Sequence, residues 1–176
     1  MEYEKNEVST MKTSQRALAG LGRIFVSLIF ILVGIASIFY WDLAQSELMG
    51  ALANWEIKMA HVEGVGSFFN ILSSMVILLM VLGVALQVIG GILVFLGIKV
   101  RLGAFLLLIY MIPATTIYYH FWFLEGHALA LSFALFLKNL AIIGGLLVVL
   151  AIGNGRFVQA KKVHSMNDPI QEEGDD

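Results

Sequence analysis

No cysteine occurs among the 176 residues, which excludes thiol–disulfide exchange, thiolate-ligated iron–sulfur clusters and covalently attached c-type haem. Charge is scarce too. Asp, Glu, Lys and Arg make up 14% of the chain and the net charge is -2, too little charge for the surface of an ordinary soluble domain. The eleven Lys and Arg residues are scattered near segment ends, and with no basic patch a nucleic-acid partner is not expected. No glycine-rich phosphate loop, nucleophile elbow or paired-carboxylate signature is present. What the chain has in excess is hydrocarbon: 59% of residues are apolar and the mean hydropathy is +0.86. The length allows one domain. The expected class is an all-α integral membrane protein.

Two long apolar arms within 86–122 flank a basic elbow at 99–101, and each has about the 17–25 residues that cross a bilayer. The whole chain reads as four spans, at about 20–41, 71–98, 102–123 and 135–153. The first is not a signal peptide, because the run 24–40 is long and no small-x-small cleavage site precedes Phe39, Tyr40 and Trp41. Pro113 should bend the third. Between the first two spans, Leu43, Leu48, Leu52, Trp55 and Met59 alternate with Glu47, Asn54, Glu56 and Lys58, which predicts an external amphipathic helix in the interface within 42–69, ended by Gly64 and Gly66. Residues 1–19 read as a short disordered or interfacial tail, and 157–176, with its acidic end, as a solvated one.

Small residues recur at seven-residue spacing, Gly20, Ser27 and Gly34 in the first span and Gly83, Gly90 and Gly97 in the second, a pattern that lets helices approach closely. The segment 86–98 aligns with 140–152, matching Gly90 with Gly144 and Gly91 with Gly145. Two helical hairpins repeated in parallel would produce this, and so would chance among Leu, Ile and Gly strings. If the spans alternate, Lys5, Lys12, Arg16, Lys99, Arg101, Arg156, Lys161 and Lys162 share one side, and only Lys58 and Lys138 lie opposite. Both termini are then expected in the cytoplasm.

Polar residues inside the spans are the candidates for function. At 1.5 Å per helical residue, Asp42, His120 and Lys138 each lie about 27–28 Å from an arginine at the basic end, at the outer boundary, and Gln87 lies deeper, about 18 Å above Lys99. An outward polar pocket roofed by Glu47, Trp55 and His61 would satisfy them together. Its candidate ligand-binding residues are Gln87, Tyr119, His120, Lys138 and Asn139. Each also has a plainer reading. Lys138 can snorkel to the headgroups, His120 suits an aromatic belt, and Gln87 and Asn139 can bridge helices. No residue is assigned a catalytic role. His61, His120, His127, Asp42 and Glu47 have no diagnostic metal-ligand spacing, and one histidine within a span does not supply haem with two axial histidines. A quinone head, which needs one or two hydrogen bonds at an apolar edge, fits better than a metal or haem.

LGRIFVSLIFILVGI in the first span, the segment 86–122, and FLKNLAIIGGLLVVLAIGNGR at the end resemble the DoxX family of small bacterial membrane proteins. The resemblance covers about 20–156 and is most specific at Lys138, Asn139, Gly144 and Gly145, and at His120 beside Phe121 and Trp122. It implies a four-helix inner-membrane protein associated with redox systems: a subunit of a quinol oxidase or thiosulfate:quinone oxidoreductase, or a link between membrane and oxidative-stress proteins. Relatives often carry an acid near the position of Gln87 and a lysine in the first span where this chain has apolar residues and Ser37. Those departures favour an accessory role over a catalytic one. The expected partners are the lipid bilayer, redox-enzyme subunits and further copies of the chain. The competing readings are a lipid or small-molecule transporter and a scaffold that binds no ligand.

Overall fold

In hydrocarbon a backbone must satisfy its own N–H and C=O groups, and for runs of Leu, Ile, Val and Phe the helix does so within one segment. The computed structural model describes the backbone of residues 2–153 and the side chains of 17–153; no strand occurs among the described residues. Six α-helices follow in order: α1 Glu2–Phe39, α2 Trp41–Lys58, α3 Val65–Ser74, α4 Val76–Leu96, α5 Val100–Tyr118 and α6 Gly126–Ile152, with a 3-10 turn Phe121–Phe123 between the last two. Four stretches are long and apolar enough to cross a membrane: Ala17–Phe39, Val76–Leu96, Val100–Phe123 and Gly126–Ile152. Their outward faces carry large apolar side chains such as Phe25, Leu32, Leu82 and Phe105. This is the surface of a multi-pass membrane protein.

Several boundaries differ from those expected. The backbone of α1 is already helical from Glu2, within the stretch read as a tail, and α1 stops at Phe39 with a break at Tyr40 before α2. The second span is shorter than 71–98 because the chain breaks at Met75, where the amide bonds back to the carbonyls of Ile71 and Leu72 and closes α3. The interfacial segment is two helices, and Gly64, with φ of 83°, opens α3 instead of ending α2. The fourth span starts at Gly126, nine residues before 135, since only His127 and Ser132 interrupt the apolar stretch 126–135. The acidic stretch 157–176 lies outside the described residues.

The elbow has a defined geometry. The Ile98 amide bonds to the Leu93 carbonyl and the Gly97 amide to that of Val94, with Gly97 at φ of 73°; this glycine-closed helix end satisfies carbonyls that would otherwise be orphaned. Gly97 is therefore a turn residue and not part of a packing stripe. One turn later the Arg101 guanidinium donates to the Ala151 carbonyl at 3.3 Å, placing positive charge at the negative end of the α6 dipole.

Around the bundle α1 packs on α4, α4 on α5 and α5 on α6, and α6 meets α1 along a looser seam. At Gly90 and Gly103 the backbones of α4 and α5 come together. A Cβ on Gly90 would lie 3.0 Å from the Gly103 carbonyl oxygen, and one on Gly103 would lie 2.8 Å from that of Gly90. Beside this contact Val94, Val100, Ala104, Leu107 and Leu146 form a closed core in the half of the bundle nearer the elbow. A second apolar cluster, Leu48, Leu52, Val76 and Met80, seats α2 across the opposite end. Gly144, which the internal alignment pairs with Gly90, has nothing within 4 Å of an added Cβ, so the two positions pack differently.

Gly90→Ala and Gly103→Ala are each expected to destabilise the protein by about 1–3 kcal/mol through overpacking, and Gly144→Ala to change it by less than about 0.5 kcal/mol. Thermal unfolding in detergent micelles checks the contrast.

Candidate functional site

The closed core ends partway along the bundle, and beneath α2 the helices leave two cavities, each of about 290 Å³, near the lower end of the roughly 300–1,000 Å³ usual for ligand pockets. One lies between α1, α5 and α6 and is lined by Glu47, Tyr119, Lys138 and Asn139 among others. The second lies between α2, α4 and α5 and is lined by Leu48, Leu79, Leu82, Ile109 and Ile117 among others. Six residues line both: Ser37, Ala44, Gln87, Tyr110, Ala114 and Tyr118.

Gln87 stands on this shared wall. It is 3% exposed, and among the described residues its amide has no hydrogen-bond partner; no polar side-chain atom is both sealed off and unpaired, so the amide opens into the cavities. Packing holds it there, because Gly34 of α1 comes close to its side-chain carbons. An unpaired amide in an apolar setting costs about 1–3 kcal/mol, a cost removed by anything that brings a donor or acceptor. Asn139 is buried as well, but its Nδ2 donates to the Thr115 Oγ1 at 3.2 Å, so much of its demand is met by a helix neighbour. Lys138 on α6 and Glu47 on α2 are exposed at the same cavity, and among the described residues neither is ion-paired.

Four of the five residues singled out in the sequence, Gln87, Tyr119, Lys138 and Asn139, thus line one cavity. His120 does not join them. Its Nδ1 lies 3.0 Å from the Ile117 carbonyl, and because a carbonyl only accepts, that nitrogen carries the proton. The same carbonyl accepts from the Trp55 Nε1 at 3.2 Å. Ile117 is in the last turn of α5, where carbonyls lack helical partners, so Trp55 and His120 together satisfy it and tie α2 to α5. Trp55 further stacks on Phe69 at 5.5 Å and meets Phe123 edge-on at 5.1 Å. His61 is exposed and Asp42 lies outside both cavities; of the expected roof only Glu47 reaches the chamber. Among the described residues no three His, Asp or Glu side chains gather as metal ligands.

Sequence reasoning missed Tyr110 and Ser37 as lining residues. The signal for Tyr110 was present: Tyr110, Ala114 and Tyr118 recur every four positions, which puts them on one face of a helix.

Because Ile117 has two donors, removing one leaves the other in place. His120→Ala and Trp55→Phe should each cost about 1 kcal/mol, and the double variant more than the sum, since it leaves the carbonyl unpaired. Unfolding of the single and double variants measures that coupling.

A family model described as DoxX matches residues 18–124. That stretch is more than half of the chain and runs from α1 through the aromatic turn; α6, with Lys138 and Asn139, lies beyond it. No curated protein and no solved structure matches the chain. With four membrane-spanning helices and a family match across the first three, the chain belongs to the DoxX family.

Proposed function

We propose that this protein is an accessory, non-catalytic member of a membrane redox assembly, and that it holds the head group of a quinone beneath α2. The observation that carries the reading is the Gln87 amide, buried, without a partner among the described residues, and facing a cavity that also bears tyrosine side chains. A quinone carbonyl accepts from an amide N–H or a tyrosine hydroxyl, and a quinol hydroxyl donates to an amide oxygen, so one side chain serves both redox states. An amide forms these bonds without exchanging its proton. This suits holding over turnover, and fits the resemblance-based observation that relatives often carry an acid near this position.

The redox association itself rests on the family. The basic end, with Lys99 and Arg101, is assigned to the cytoplasm of a bacterial inner membrane by the bias of basic residues, and the cavities then open into the outer leaflet. Transport is the weaker reading, because the closed core around Val94, Val100, Leu107 and Leu146 offers no polar route from the cavities to the other face.

A native mass spectrum of the protein extracted from its own membranes tests the proposal. The expected result is an adduct of quinone mass, reduced about tenfold in Gln87→Leu, the equivalent of one hydrogen bond, with thermal stability unchanged or raised. Phospholipid adducts alone, or an adduct indifferent to Gln87→Leu, would contradict it.

A further inference from the structure

The two cavities differ in character. The residues found only in the chamber between α1, α5 and α6 include Glu47, Tyr119, Lys138 and Asn139. Those found only in the chamber between α2, α4 and α5 are all apolar, among them Leu48, Leu79, Met80, Leu82, Ile109 and Pro113. Leu82 and Ile109 are also 54% and 44% exposed on the membrane face, so this apolar chamber opens sideways into lipid between α4 and α5. Gln87, Tyr110 and Tyr118 stand where the two chambers meet.

We infer that the chambers form one binding site crossing the bundle, with the ligand's polar ring between α1 and α6 and its single apolar chain running past Gln87 and out between α4 and α5. The inference rests on the quinone reading above and adds the direction in which the molecule lies. Polarity sets that direction. A chain placed in the α1–α6 chamber would lie against Lys138 and Glu47, stripping water from unpaired charges, whereas in the α4–α5 chamber it meets only hydrocarbon and displaces nothing polar. The same asymmetry selects for one chain over two, because the second mouth of the site is the charged one. The Gln87 amide, at the junction, is within the chambers' shared wall and meets the ring where ring and chain join.

Photolabelling of the full-length protein in phospholipid nanodiscs tests this with two decylquinone probes: one is 2,3-dimethoxy-5-methylbenzoquinone with a decyl chain that ends in a diazirine, and the other has an azide on the ring in place of one methoxy group. The chain-end probe is expected to label peptides containing Leu82 and Ile109, and the ring probe those containing Lys138 and Asn139. Excess unlabelled decylquinone should reduce both about tenfold. Saturable labelling with the two positions exchanged, or with both in one chamber, overturns the orientation and leaves the quinone reading standing. Labelling that excess quinone does not reduce overturns both. As a second check, Leu82→Trp at the lipid-exposed mouth is expected to weaken binding of decylquinone about tenfold while leaving the chainless benzoquinone unaffected; equal effects on the two would contradict the chain's path.

Discussion

Hydrocarbon offers no hydrogen bonds, so every polar group inside the bundle must find a partner in the protein or face a space where one can come. Most are paired locally. Ser27 donates back to the Ile24 carbonyl, and Asn139 to Thr115. The carbonyl left free at the end of α5 takes both Trp55 and His120. Gln87 and Ser132 are buried without such a partner among the described residues, and of the two only Gln87 lines the cavities. The position of the Gln87 amide, between a polar chamber and an apolar one, gives the half of the bundle beneath α2 its chemical meaning.

Packing decides where such a space can exist. The Gly90–Gly103 contact brings α4 and α5 to backbone distance, and side chains from α1 and α6 close the core beside it. Toward the other end the small residues give way to Tyr110, Pro113 and Tyr118 on α5, and the bulk of these side chains and the roof of α2 hold the helices around open volume. A tight half thus positions a hollow half. Lifting α2, with its Leu48 and Leu52, off Val76 and Met80 would expose the chambers, which links the aromatic cluster around Trp55 to the site without any of its rings entering the cavities.

The spans were legible in the sequence because period and length carry the signal: long apolar runs, the basic elbow and the glycine spacing lead to four helices. Their ends were less so. Nothing in Ser73, Ser74 and Met75 marks a helix break, and the apolar run from Ala128 onward gives no sign of starting before 135 other than its hydropathy. Depth counting placed Lys138 at the outer boundary and Gln87 deeper, and the two do share a cavity. It also placed His120 there, since height along a helix says nothing about direction around it once the helix has ended, and His120 lies just past the end of α5, turned back onto Ile117. Tyr110 was readable from its spacing to Tyr118, and Ser37 only from the way α1 crosses Gln87.

The most direct measurement is a structure determined in nanodiscs of the protein's native lipids, read at Gln87. An elongated density that contacts the Gln87 amide, and continues between α4 and α5, is the predicted result. Chambers collapsed around a Gln87 side chain that hydrogen-bonds a neighbouring helix would contradict the account, and Gln87 would then be a bridge between helices like Asn139.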